Sequence, residues 1–224
     1  MMNMVIFSNN KQVKIVFGQS ASGKTTMINH LIELSEGAGV TSASFQDGLE
    51  LISLVARDTE AQFHIKAPKG DGEGFMVTST GFYQKALDGV CEQVLEALGK
   101  FDRIFVEISC GGNDEVDFSL AKRLEGIPDE ILESSQLIYI KASQEKRHEW
   151  NRERPFKWRL PKVVMEAYSC NDETEAAMIQ GLQMRDIPIT IIENNKTLRD
   201  FVDEVNLLHL THEGCAKSNG PERS

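Results

Sequence analysis

The feature that most constrains this chain is the loop Gly18-Gln19-Ser20-Ala21-Ser22-Gly23-Lys24-Thr25. It matches G-x-x-x-x-G-K-[ST], the P-loop that cradles phosphate. Its flanks are what that motif needs. Residues 13–17 (Val-Lys-Ile-Val-Phe) form an apolar run suited to a buried strand. After the loop, Met27, Ile28, Leu31, Ile32 and Leu34 fit a helix over 24–36 with one buried face, stopped by Gly37 and Gly39. A Gly/Ser-rich turn matching by accident would lack this setting.

The chemistry asks for these residue types at this spacing. Gly18 and Gly23 admit backbone angles that other residues resist. The amides of Ser20, Ala21, Ser22, Gly23, Lys24, Thr25 and Thr26 can then converge as a nest for phosphate oxygens. The helix beginning near Lys24 adds its positive end. Lys24 is placed to reach the β- and γ-phosphates, and Thr25 to set its hydroxyl on Mg²⁺. The expected ligand is a nucleoside triphosphate.

At 224 residues the chain suits one α/β domain, expected over 1–210, with a flap near 59–80 and a lid near 144–162. The polar residues 211–224 are expected to be a disordered tail. A net charge of −10 argues against a nonspecific nucleic-acid or anionic-membrane binder. No apolar stretch reaches membrane-spanning length, and residues 1–11 lack a signal-peptide pattern. Cys91, Cys110, Cys170 and Cys215 are widely spaced, as expected of reduced thiols in a cytoplasmic protein.

Further elements follow in order. Residues 40–45 read as a strand. Asp47 and Glu50 have capping-box spacing before a helix. Residues 62–67 and 74–80 bracket Pro68-Lys69-Gly70-Asp71-Gly72, the pattern of a hairpin. A helix over 81–98 carries the stripe Tyr83, Leu87, Val90, Val94 and Leu98. Residues 103–109 (Arg-Ile-Phe-Val-Glu-Ile-Ser) read as a central parallel strand. Pro128 breaks the next helical stretch. Residues 136–142 form a strand, and Ser143 caps a helix interrupted by Pro155 and Pro161. Asn171 reads as another cap, with Asp172, Glu173 and Glu175 in the first turn. Residues 187–193 are the last strand, before a helix with Leu198, Phe201, Val202, Val205 and Leu208. Alternating strands and helices imply a three-layer parallel sheet of about five strands. Ligands then sit at the carboxyl ends of the strands.

Several residues join the P-loop as candidates. Glu107, near the end of a buried strand, needs partners there. Mg²⁺ and phosphate would supply them, with Glu107 holding the metal or accepting the proton of an attacking hydroxyl. The structural alternative is a buried ion pair. Arg147, Arg152, Arg154 and Arg159 offer positive charge for a transferring phosphoryl group. Arg147 and Arg154 would share a face on an unbroken helix. The plainer reading is a solvated helix, since Glu145, Glu149 and Glu153 interleave. Trp150, Phe156 and Trp158 either cover a ligand or pack the lid. Asp47 is a candidate for an acceptor hydroxyl, with the helix cap as its alternative. Gly111, Gly112, Asn113 and Asp114 are candidates to hold the acceptor, or are a plain loop. Asn194 and Asn195 are placed to border the nucleotide base, with Thr197 and Asp200 capping the helix. His64 and Lys66 lie on the flap without a decided role.

Residues 137–147, Leu-Ile-Tyr-Ile-Lys-Ala-Ser-Gln-Glu-Lys-Arg, with Arg152 and Arg154, resemble the strand-then-lid segment of P-loop kinases of the nucleoside, nucleotide and small-metabolite type. Residues 191–198, Ile-Ile-Glu-Asn-Asn-Lys-Thr-Leu, are similar to their final strand and base-side loop. The resemblance implies Mg·ATP as donor and a closing lid with arginines. It also implies a small-molecule acceptor between Asp47, the flap and the Glu107 loop, and leaves a homodimer open. No standard acceptor signature stands in 41–80. Glu107 with Gly111-Gly112 also resembles regulatory GTPases of metal-enzyme maturation, but Asn195-Lys196-Thr197 is followed by Leu198 where those carry a guanine-reading aspartate. A kinase acting on modified bases in DNA is a third class, opposed by the net charge.

Overall fold

The computed structural model describes residues 11–62, 64–66, 74–111, 119–156, 159–167, 169, 175–176, 179–180, 189–197, 199–203 and 205–206. Strand β1 (Val13–Gly18) runs through the P-loop into α1 (Lys24–Gly37). Strand β2 (Ser42–Gln46) leads into α2 (Asp47–Arg57). A hairpin, β3 (His64–Lys66) and β4 (Phe75–Val77), precedes α3 (Thr80–Ala97). Then come β5 (Arg103–Ser109), α4 (Leu120–Glu125), α5 (Asp129–Glu133) and β6 (Ser135–Lys141). Helices α6 (Gln144–Glu153) and α7 (Lys162–Ala167) and strand β7 (Ile189–Glu193) follow. Residues 199–203 and 205–206 are also helical.

Five strands form one parallel sheet in the order β2-β5-β1-β6-β7, and β3 and β4 pair antiparallel by themselves. Alternation along each strand divides the apolar side chains between two faces. Val13, Ile15, Phe17, Ile104, Val106, Leu137 and Tyr139 pack with Leu87, Val90 and Val94 of α3 and with Leu120 and Ile131. Val16, Phe105, Ile138, Ile140 and Ile192 pack with Met27 and Ile28 of α1 and with Phe201 and Val205. These are the three expected layers, and they explain why β1 and β5 read as near-continuous apolar runs. Tyr83, Phe82 and Val77 form a smaller cluster with Leu51, Leu54, Val55 and Phe75, seating the hairpin on α2 and α3. Among the described residues no helix is long and apolar enough to cross a membrane.

Three local expectations are corrected. Strand β2 begins at Ser42, not at 40: Val40 N donates to Ser35 O at 2.9 Å, and Thr41 is held by the Asp102 carboxylate. Both residues therefore finish the turn after α1. The capping box at Asp47 and Glu50 does not form. The N-cap is Gln46, without a side-chain bond, and Glu50 pairs with Arg57 at 3.2 Å. Helix α6 ends at Glu153, and Arg154 is extended, the conformation favoured before Pro155. Arg147 and Arg154 thus share no unbroken helix. The turn at 68–72, Gly112, Asn113, Asp114, Trp158, Asn171, Leu198, Leu208 and the 211–224 segment lie outside the described residues.

Lys14 is the charged exception on β1. Its Nζ donates to Gln136 Oε1 at 2.6 Å, and burial, reinforced by the Arg103 guanidinium, pulls its pKa down to about 8. The unfolded chain keeps that proton up to the ordinary value of 10.5. Between these values the unfolded state binds more protons, so this residue makes stability rise with pH across that window. Lys14→Met is expected to exceed wild-type stability at pH 7 and to remove that rise, as read by urea unfolding at several pH values.

Candidate active site

The P-loop sits at the carboxyl end of β1, where Gly18 is in register with Ser109 of β5 and Ile140 of β6. A Cβ on Gly18 would stand 2.6 Å from the Ile140 carbonyl oxygen, so the neighbouring strand leaves room only for glycine. Ala21 at φ 62 and Gly23 at φ 102 turn the chain into α1. Gly23 is the N-cap and supplies no side-chain bond, so the first-turn amides of Lys24, Thr25 and Thr26 carry no side-chain cap. A helix start left in this way, with no acidic residue in its first turn, suits an anion. Ser22 is fully buried, while Ser20 and Thr26 are half-buried.

Lys24 is buried, with Nζ 3.0 Å from both Gly18 O and Gln19 O. The same ammonium lies 3.8 Å from Glu107 Oε1. Thr25 Oγ1 donates to Glu107 Oε2 at 2.8 Å. Glu107 reaches this place by strand parity, since Phe105, two residues earlier, faces the α1 layer. The three residues thus meet as expected. A hydroxyl and a carboxylate converging beside a helix N-terminus are hard oxygen donors of the kind Mg²⁺ prefers. The uncapped amides and Lys24 fit the phosphates of a nucleotide.

The lid arginines separate into different roles. Arg147 is 2% exposed, and its guanidinium is taken up by Ala142 O at 3.3 Å and Ser169 Oγ at 2.9 Å. It fastens α6 to neighbouring backbone, which corrects its expected place over phosphate. Arg152 is exposed, and its carbonyl accepts from Arg159. Arg159 also donates to Arg154 O at 3.1 Å, clamping the turn at Pro155. Arg154 is half-buried and near Glu107. Burial lowers its pKa and the Glu107 carboxylate opposes that shift. Of the four candidate arginines, Arg154 is thus tied electrostatically to the P-loop's acid.

On the other side of Glu107, Asp47 follows Gln46, which is in register with Glu107. Asp47 is 4% exposed. It accepts from Ser109 N at 3.0 Å and forms an ion pair with the buried Arg123 of α4. Arg123 Nη1 also donates to Tyr83 O at 3.0 Å. The Asp47 carboxylate is therefore turned onto protein partners rather than capping α2. The sequence reading missed Arg123. Its signal was a charged residue three positions after Leu120, on the buried stripe of a short helix. Gly111 lies just past β5, and His64 Nδ1 is 2.8 Å from Asp58 Oδ2, tying the hairpin to the end of α2.

Asn194 and Asn195 each bond backbone through one end of the amide. Asn194 Nδ2 donates to Ser22 O at 2.8 Å, and Asn195 Oδ1 accepts from Ser143 N at 2.8 Å. They brace the P-loop and the root of α6. Thr197 and Asp200 do cap the last helix. Asn194 also explains Gly23, where a Cβ would stand 2.4 Å from its Nδ2. Gly23→Ala is expected to destabilise the protein by about 1–3 kcal/mol. Thermal melting with and without Mg·ATP will measure it, and the nucleotide-induced rise in melting temperature should shrink.

Glu175, expected as a first-turn acid of a helix, is helical and buried. Gln19 Nε2 and Tyr139 Oη both donate to its Oε1, at 3.0 and 2.6 Å.

No protein-family model and no curated protein matches the chain. Solved structures do resemble it. A sugar kinase from Janibacter sp. aligns with TM-score 0.51 at 11% identity, covering 91% of this chain and 97% of that one. A shikimate kinase from Acinetobacter baumannii in complex with shikimate aligns with TM-score 0.50 at 13% identity, covering 92% and 96%. The Mycobacterium tuberculosis APS kinase in complex with AMPPNP and APS aligns with TM-score 0.51 at 9% identity, covering 90% and 98%. At these identities the likeness is one of architecture: the chain has the three-layer parallel-sheet fold that these small-metabolite kinases share.

Proposed function

We propose that the protein is a P-loop kinase that moves the γ-phosphate of Mg·ATP to a hydroxyl or phosphate on a small-molecule acceptor. One observation carries this reading. Lys24, Thr25 and Glu107 converge at the uncapped start of α1, within 3.8 Å of one another along the chain of contacts. The kinase-like fold supports the class.

Each residue then has a role. The Lys24 ammonium exchanges its loop carbonyls for β- and γ-phosphate oxygens. The P-loop amides hold the phosphates in line. Thr25 and Glu107 would hold the magnesium ion, which supplies neutralisation of phosphate charge when bound. Glu107, beside Lys24 and Thr25, is also the carboxylate that would take a proton from an attacking hydroxyl. Arg154 meets the charge redistributed onto the transferring group. The acceptor lies between the start of α2, the β3–β4 hairpin and the turn after β5 that carries Gly111.

The test is transfer of labelled γ-phosphate from ATP across pooled nucleosides, nucleotides, sugars, cofactor precursors and hydroxylated DNA. The expected result is a labelled small molecule, with transfer lowered by about 10²-fold in Glu107→Gln. Hydrolysis without an acceptor, or GTP bound far more tightly than ATP, would overturn the reading in favour of a nucleotide-driven switch.

A further inference from the structure

Behind the P-loop, on the side of the sheet opposite α1, lies the buried carboxylate of Glu175. It is 1% exposed, and two neutral donors converge on one of its oxygens. The first is Tyr139 Oη, from the β6 residue in register with Phe17 of β1. The second is the side-chain amide of Gln19, the residue after Gly18 in the P-loop. Gln19 is 2% exposed, so the bond is made away from solvent.

Gln19 is the point where this bond reaches the phosphate-binding machinery. Its backbone carbonyl accepts from Lys24 Nζ at 3.0 Å and from Ser22 N at 3.2 Å. The first sets the resting place of the Lys24 ammonium, and the second closes the turn that aims the loop amides. A side chain held at one end fixes the peptide at its other end. We infer that Glu175 is a positioning residue of the P-loop: through Gln19 it sets the loop turn and the Lys24 anchor, while Tyr139 holds the carboxylate to the sheet. The consequence for ligand binding rests on the nucleotide reading given above; the effect on the loop does not.

The experiment uses the full chain, with hydrogen exchange of peptides covering 18–24 and equilibrium binding of Mg·ATP measured side by side. Glu175→Ala removes the acceptor that holds the Gln19 amide, so loop exchange should speed up and ATP binding weaken, each about tenfold. Glu175→Gln keeps an acceptor oxygen and should stay within about threefold of wild type. In loop exchange Gln19→Met should reproduce Glu175→Ala, and the double variant should be no worse than either single one, because both cut the Gln19–Glu175 bond that reaches the loop. Pairing Gln19→Glu with Glu175→Gln restores the bond in reversed polarity and should recover what Gln19→Glu alone loses.

Unchanged loop exchange in folded Glu175→Ala would overturn the inference. So would full addition of the two single effects, or damage from Glu175→Gln equal to that from Glu175→Ala. If Glu175→Ala does not fold, unchanged loop exchange in Gln19→Met overturns it equally. A wild-type protein that fails to bind ATP removes the proposed function instead, and loop exchange alone then decides the role of Glu175.

Discussion

Lys24→Ala is expected to lower γ-phosphate transfer by about 10³-fold while leaving the fold intact. The ammonium is the buried cation at the start of α1, held by two loop carbonyls and facing Glu107. Removing it takes away a positioned donor and its charge together, in a site shielded from water. It also leaves Glu107 with one fewer cation, so the loop becomes less attractive to a polyanion. The fold should survive because Glu107 keeps the Thr25 hydroxyl and the field of Arg154. Lys24→Arg should not rescue, since the wider guanidinium replaces a compact point charge. Initial rates with labelled ATP, beside melting curves, will check this. A variant that folds and transfers phosphate within about threefold of wild type would contradict the role assigned to the residue.

Arg123→Leu is expected to cost about 3–5 kcal/mol of stability, the largest effect away from the phosphate site. The substitution leaves Asp47 buried without its cation and unbonds Tyr83 O. Asp47→Leu should cost a similar amount by stranding the guanidinium. The double variant should recover part of the loss, because an apolar pair of similar volume does not have to be desolvated as ions. Urea unfolding of the four proteins gives the cycle. If each single change cost under about 1 kcal/mol, the pair would be solvated, as exposed ion pairs are. The same variants should slow phosphate transfer in protein that remains folded, because Asp47 holds the Ser109 amide two residues beyond Glu107.

Much of the site could be read before the structure because its signals are local. The P-loop motif packs its requirements into consecutive residues, so the grouping of Gly18, Gly23, Lys24 and Thr25 was legible from spacing alone. Glu107 was legible as a carboxylate near the end of a buried apolar strand, where it needs partners. The lid was harder. Four arginines within thirteen positions look alike in sequence, and backbone breaks at Pro155 decide which of them turns inward. Arg147 became a fastener and Arg154 the neighbour of Glu107 through packing that spacing does not encode. Asp47 misled for a related reason. Its capping-box spacing was real, but a buried cation from α4 made a stronger claim on the carboxylate than an amide on its own helix.

The sequence by itself determined the alternation of strands and helices, the phosphate loop and the burial of β1 and β5. These follow from periodicity and from steric limits that act over a few residues. Only the tertiary structure decided what Asp47, Arg123, Arg147, Glu175, Asn194 and Asn195 do. Each is a polar group whose partner is distant along the chain: Arg123 reaches back to Asp47, Glu175 to Gln19, and Asn194 to Ser22. A buried polar side chain must find a partner, but which one depends on the strand order that brings β2, β5, β1, β6 and β7 together at one edge.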